Sequence, residues 1–328
     1  MNETQGNFTD NIDQQTYLAL VASLSCMSIT IVATNAFVCA IVYLNKTVRT
    51  CTNCFVVSLA VSDIIMGAFF FPLHIAVPSF KGIGILTAVS LLVGVANVVC
   101  LTYDRYLSIS SPLTYTMDIQ HRFKKMIVLC WVVPILYAFI PLAWNTRTDN
   151  LAHVIYTFTM SICGVIIPYI FIFSVYFYIF KQVKKCSKRL QTELTDQRTV
   201  TNKKTHLFIE LKVARVFIVI ASIFLCCWAP VLYITTVENF RKPHLAPQAV
   251  HITAFYMLAL ESLVNPFIYC FLKPDIQSAL RRTLKKTWRR DMTIRFTSKA
   301  IDNGIVIGTS NTNLRVSNNG SSGQLNAL

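Results

Sequence analysis

Apolar positions along this chain gather into long runs, with polar and basic residues crowded between them. Tyr17 to Leu44, Gly82 to Tyr103, Met126 to Trp144, Val154 to Phe180 and Val216 to Val237 contain no Asp, Glu, Lys or Arg. Two further runs, Cys54 to Pro78 and Pro247 to Leu272, are each broken by one acid, Asp63 and Glu261. As a helix, a run of roughly 20 apolar residues matches the thickness of a bilayer's hydrocarbon core. Seven such runs predict an all-α membrane protein, a seven-transmembrane helix bundle over 17–272, preceded by an outer tail, 1–16. After Pro274, Ile276, Leu280, Leu284 and Trp288 recur every four residues among Arg281, Arg282, Lys285, Lys286, Arg289 and Arg290. One apolar stripe with a basic opposite face predicts a cytosolic amphipathic helix, 273–290, lying on the membrane surface. The remainder, 291–328, is rich in Ser, Thr, Asn and Gly and is expected to be a disordered cytosolic tail.

Composition agrees with the pattern and narrows it. Of 328 residues, 54% are hydrophobic and 14% charged, where a soluble domain carries about 25% charged residues. A soluble enzyme or nucleic-acid module is excluded. The net charge of +15 needs no nucleic-acid partner, because it is sorted. If the seven runs span, all of the 30 Lys and Arg except Lys81, Arg147, Arg241 and Lys242 fall on one side. Positive charge is retained in the cytosol during insertion, so the expected placement is a multi-pass protein of the plasma membrane with its N-terminus extracellular. Residues 1–16 have no basic n-region, so the first span is expected to export its own tail. In that tail, Asn2-Glu3-Thr4 and Asn7-Phe8-Thr9 are sequons, which predict glycosylation at Asn2 and Asn7. The 11 cysteines lie in spans or at cytosolic ends, none in an outside loop where disulfides persist. No metal-ligand spacing and no His/Cys/Asp cluster of catalytic spacing occurs, so neither a metal cofactor nor an enzyme is expected.

Polar groups at membrane depth are costly unless paired and mark function by default. Here they are Asn35, Asp63, Asn97, Glu261 and Asn265. Prolines within spans bend a helix by removing a backbone hydrogen bond, and Pro72, Pro134, Pro168, Pro230 and Pro266 all fall there.

Several landmarks then come in order, one set to a span: Asn35; Leu59-Ala60-Val61-Ser62-Asp63; Asp104-Arg105-Tyr106, followed by Pro112-Leu113; Trp131; Pro168 with Tyr176; Cys227-Trp228-Ala229-Pro230; and Asn265-Pro266-Phe267-Ile268-Tyr269. In these the chain resembles the rhodopsin-like (class A) G-protein-coupled receptors over residues 20–288. The resemblance implies a receptor that binds an extracellular ligand and activates a heterotrimeric G protein by outward movement of the sixth helix. It implies that Arg105, in the Asp104-Arg105-Tyr106 triplet, holds Glu210 at the start of helix six in the resting state. Release of that pair would free Arg105, with Tyr176 and Tyr269 reorganising around it and Leu113 touching the G protein. Trp228 and Pro230, with Asn265 and Pro266, would transmit ligand contact inward. Read without the resemblance, an arginine at the inner end of a span is ordinarily a snorkelling anchor. An Arg–carboxylate pair is nevertheless directional enough for a latch. Serines and threonines of the tail, such as Ser321 and Ser322, could take phosphate and recruit arrestin.

The resemblance also implies a sodium ion near Asp63, with Asn265 beside it. Eleven residues before Arg105, where the family usually has serine, this chain has Gly94; five before Pro266, where the family usually has asparagine, it has Glu261. Two carboxyls at one buried pocket cannot both ionise cheaply. Either a cation or proton is sensed there, or a neutral Glu261 is bonded to neighbouring backbone or to Asn97.

Departures from the family pattern bear on the ligand. Phe80 stands where most relatives have a bridging cysteine, and the short loop 145–153 has none. Thr87 stands where an amine receptor has aspartate, and Ala259 where an opsin has its retinal lysine. The expected pocket, Thr87, Leu91, Met160, Gly164, Trp228, Leu232, Thr235, Phe255 and Ala259, is mostly apolar. Such a lining favours a neutral or lipid-like small molecule, selected by Thr87, Thr235 or the outer His74. Two alternatives stay open: a ligand-independent, constitutively active or dimer-partner receptor, and a channel or transporter. The second would need a continuous polar path, yet acids at depth are confined to Asp63 and Glu261, and no internal repeat is evident.

Overall fold

A computed structural model describes residues 14–77, 82–111, 114–147, 150–192, 197–283, 285, 288, 306–308 and 315–317; side chains of 186–192, 197–211 and the last two segments lie outside the description. Asn2, Asn7, Phe80, Leu113 and the side chain of Glu210 are therefore outside it.

Among the described residues seven helices are long and apolar enough to cross a bilayer. They are α1 (Gln14–Leu44), α2 (Cys51–Ala76), α3 (Ile83–Ser110), α4 (Tyr115–Trp144), α5 (Leu151–Lys185), α6 (Gln197–Asn239, crossing with Lys212–Asn239) and α7 (Gln248–Leu272). α3 packs against α2, α4, α5 and α6, while α1 meets α2 and α7, and α6 meets α7. The bundle is thus closed around α3. Its core is mostly apolar, as in a soluble protein, but its surface is apolar as well. Val128, Val132 and Leu136 of α4 and Ile166, Ile170 and Phe177 of α5 are exposed, whereas Asn35, Asp63, Asn97, Glu261, Ser262 and Asn265 are buried. Lipid accepts apolar side chains without cost, so only polar groups are driven inward to find partners.

Local sequence explains the helix shapes. Pro72 and Pro168 each follow a widened π turn, Met66–Phe70 in α2 and Met160–Ile166 in α5. An extra residue in the turn absorbs the hydrogen bond that proline cannot donate. Pro134, Pro230 and Pro266 sit inside continuous helices. At the inner start of α2, Thr50 caps the helix, its side chain accepting from the Asn53 amide at 3.2 Å. Gly67 lets α1 come against the π turn of α2: a Cβ there would lie 3.0 Å from the Ile31 and Val32 side chains. The Ser28 hydroxyl uses that closeness to donate to the Gly67 carbonyl.

Residues 274–283 are helical, within the stretch expected to be amphipathic. Ser278–Leu328 forms a unit of its own. In the tail, expected to be without structure, Val306–Gly308 pairs antiparallel with Arg315–Ser317; the β-branched Val306, Ile307 and Val316 are suited to such pairing.

Candidate functional site

At the inner end of α3, Asp104 and Arg105 form one closed network with α2 and α4. The Arg105 guanidinium donates to Asp104 Oδ2 from Nε at 3.0 Å and from Nη2 at 2.6 Å. Nη2 also reaches Thr52 Oγ1 at 2.8 Å, and the Thr52 hydroxyl donates to Asp104 Oδ2 at 2.8 Å. The Tyr115 hydroxyl donates to Asp104 Oδ1 at 2.8 Å. Asp104 is fully buried and Arg105 nearly so, which makes these charge-assisted bonds strong. Sequence reasoning found the Asp–Arg pair but missed Thr52 and Tyr115, which are single polar residues at helix starts with no motif around them. The expected partner Glu210 lies on α6, with its side chain outside the described residues. Tyr106 packs its ring on Tyr178 of α5, 5.5 Å between centroids. Tyr176 and Tyr269 are fully buried, and the Tyr269 hydroxyl has no partner among the described residues.

Beside this network lies a second one that the sequence did not suggest. Lys273, just past α7, is buried. Its ammonium donates to Asn53 Oδ1 and, at 3.1 Å, to Asp275 Oδ2. Asn53 in turn donates to Asp275 Oδ2 and to the Val48 carbonyl, each at 2.7 Å. The ammonium also lies 5.9 Å from the centre of the Phe217 ring of α6. Burial pushes the Lys273 ammonium below the usual lysine range, and the neighbouring Asp275 carboxylate opposes that fall. Burial acts to raise Asp275, but the Lys273 charge and the Asn53 hydrogen bond hold its carboxyl below the usual range. Signal for this site existed only in hindsight: Lys273 directly follows an apolar run, where a lysine normally snorkels outward.

Midway through the bundle, Asp63, Asn265 and Glu261 meet. The Asn265 side-chain amide donates to Asp63 Oδ2 at 3.0 Å and to Glu261 Oε1 at 2.9 Å. The Ser262 hydroxyl donates to Glu261 Oε2 at 3.2 Å. Asn35 stands one step away, donating to the Ser262 carbonyl at 3.0 Å. Asn97 instead donates to the Val93 carbonyl of its own helix at 2.9 Å, and it is Asn265 and Ser262 that donate to Glu261, not Asn97. With a shared donor between them, the two carboxyl oxygens are at most about 6 Å apart. At an effective dielectric of about 20, two like charges at that distance repel by about 3 kcal/mol.

Sodium does not fit these residues. On the α3 side, the place of the family's serine is Gly94, and the edge of the Phe224 ring lies where even a Cβ would go. That wall is hydrocarbon and supplies no oxygen ligand. Between the carboxylates stands an amide donor, which repels a cation rather than coordinating it. Phe224 is also stacked on Trp228, 5.7 Å between centroids and 23° between planes. One stack of rings therefore runs from the expected ligand-transmitting tryptophan to Gly94 of α3. Sequence reasoning saw Gly94 as a missing ligand and did not see the ring that fills it.

In the outer half, Leu91, Met160, Ala259 and Trp228 are buried, while Thr87, Leu232, Thr235 and Phe255 are partly exposed. The Thr87 hydroxyl donates to the Ile83 carbonyl and that of Thr235 to the Val231 carbonyl, each at 2.9 Å. Both hydroxyls are turned onto their own helices, leaving only acceptor capacity toward a ligand. His74 lies against Phe255, 4.2 Å between ring centroids, and near Phe70 at 6.2 Å. At Gly164, Leu92 fills the space of a side chain, 2.5 Å from where a Cβ would stand.

Comparison with known proteins agrees with this arrangement. Residues 34–269 match the family described as 7 transmembrane receptor (rhodopsin family). Similar proteins include the histamine H2 receptor of Canis lupus familiaris, 23% identical over 80% of this chain and 78% of its own. The octopamine receptor beta-1R of Drosophila melanogaster is 25% identical over 84% of this chain and 64% of its own. The adenosine receptor A2b of Canis lupus familiaris is 26% identical over 82% of this chain and 90% of its own.

Proposed function

The chain belongs to the rhodopsin family of seven-transmembrane receptors, and from that premise we propose that it promotes nucleotide exchange on a heterotrimeric G protein from the cytosolic face of the plasma membrane. The observation that carries this reading is the buried Asp104–Arg105–Thr52–Tyr115 network at the inner end of α3. An arginine tied to carboxylate and hydroxyls is held ready but unavailable. Its release, together with that of Glu210, coincides with outward movement of α6 about Pro230, and Leu113 and the freed Arg105 then meet the G protein. Tyr269, whose hydroxyl lacks a partner here, gains one as the helices rearrange, and Tyr176 turns with it. The ligand acts by population shift: it binds the open bundle more tightly and biases α6 by that difference. An extracellular N-terminus glycosylated at Asn2 and Asn7, and arrestin binding to the tail, belong to the same proposal.

The ligand we assign to the outer half is a neutral or lipid-like small molecule. Among the relatives named above, two are receptors for the amines histamine and octopamine, which are cations at neutral pH, and one is a receptor for uncharged adenosine. Thr87 offers no carboxylate, and the acid described at the outer end, Glu238, is exposed. Arg105→Ala tests the coupling role: surface expression is retained and nucleotide exchange on purified G protein is lost. Exchange at the wild-type rate would overturn it. A screen in which only cationic amines raise exchange would overturn the ligand class while leaving the coupling role intact.

A further inference from the structure

We infer that the pocket around Asp63, where the resemblance implies a sodium ion, takes no sodium here and is instead a proton site shared by Asp63 and Glu261. The inference does not depend on which ligand or G protein the receptor serves. Two observations carry it. The first is on α3: where the resemblance implies a serine ligand, Gly94 offers no side-chain oxygen and the Phe224 ring fills the space a side chain would take. The second is the bridge: one amide nitrogen of Asn265 donates to Asp63 and to Glu261, so the space between the two carboxyls is taken by a hydrogen-bond donor.

The charge balance then requires a proton. Among the described residues no Lys, Arg or His contacts either carboxyl. Asn35 of α1, Phe224 and Trp228 of α6, and Ser262 and Asn265 of α7 are uncharged. The titratable groups within electrostatic reach are Cys39 of α1, Tyr169 of α5, Cys227 of α6 and Tyr269 of α7, and none of these is a cation. Two ionised carboxylates would leave a double negative charge at the centre of the bilayer with nothing opposite it. A single proton on the pair removes half of that charge. The remaining carboxylate keeps the Asn265 and Ser262 donors.

Purified receptor in detergent tests this with two readouts that need no ligand. When sodium chloride replaces the chloride of a bulky organic cation at equal ionic strength, Tm stays unchanged. A rise in Tm with sodium overturns the inference. Infrared spectroscopy of the wild type shows the C=O stretch of a buried protonated carboxyl, and Glu261→Gln or Asp63→Asn removes or shifts it. A wild-type spectrum without such a band, or a band untouched by both substitutions, overturns it equally. The pH dependence has a fixed sign. A proton held by the pair makes a contribution to stability that is fullest at acid pH and declines as rising pH removes that proton. Glu261→Gln abolishes this decline without lowering Tm at neutral pH; a decline of wild-type size in the variant overturns the assignment.

Discussion

Gly94 shows how much one missing side chain decides. Its hydrogen leaves room for the Phe224 ring, which is itself stacked on Trp228. Restoring a side chain at this position works against the packing rather than completing an ion site. Gly94→Ala forces the ring aside and is expected to cost about 1–3 kcal/mol, the usual penalty for overpacking a filled interior. Thermal unfolding of the purified receptor measures this loss, and Gly94→Ala combined with Phe224→Leu recovers most of it. Equal losses in the single and double variants would show that the ring is not what Gly94 accommodates. The same residue illustrates where sequence stops being informative. That a serine was absent could be read from spacing to Arg105, but what filled the space depended on α6 arriving from more than a hundred residues further along the chain. Asp63, Asn265 and Glu261 were legible as a cluster because charge and amide groups are rare at membrane depth. Which of them would share a hydrogen was not legible, because it depends on side-chain direction.

Helices are joined by polar contacts whose strength comes from exclusion of water. Trp131 of α4 donates to Ser58 of α2 at 2.9 Å, Tyr169 of α5 to the Ala221 carbonyl of α6 at 3.1 Å, and Asn239 of α6 to Thr157 of α5 at 2.6 Å. At the inner end, Lys273 and Asp275 fasten the end of α7 to Asn53 at the start of α2. This fastening has a definite pH signature. Asp275 is held below the usual carboxylate range, so its contribution is present above the unfolded value of about 4 and is lost as the pH falls through the folded one. In Asp275→Asn the acid-side fall of Tm becomes shallower, and Lys273→Met costs less in that background than in the wild type. Additive losses would mean that the two side chains do not act as one unit. The existence of the seven helices was readable from the apolar runs alone. Their π turns were not, because Pro72 and Pro168 announce a distortion without stating whether it will be a kink or a widened turn. α6 also extends inward to Gln197, beyond its apolar run, since basic helix formers continue a helix into water without needing burial.

For the whole molecule, α3 serves as the common neighbour of α2, α4, α5 and α6. It also carries the groups tied down at the inner end. Any rearrangement that separates α6 from α3 must therefore repack the Phe224–Gly94 contact in the middle of the bundle and alter the surroundings of Arg105 below it. On the proposed mechanism the coupling is reciprocal: whatever favours the open inner end strengthens ligand binding outside, and the ligand favours the open end by the same factor. The measurement that tests this most directly is the distance between spin labels at Lys124 of α4 and Lys212 of α6, both exposed, in receptor with its exposed cysteines replaced. Adding nucleotide-free heterotrimeric G protein should lengthen that distance in the wild type, whereas in Arg105→Ala, with the latch already absent, the G protein should add no further change. A distance that stays fixed in the wild type while the G protein is bound would contradict the account.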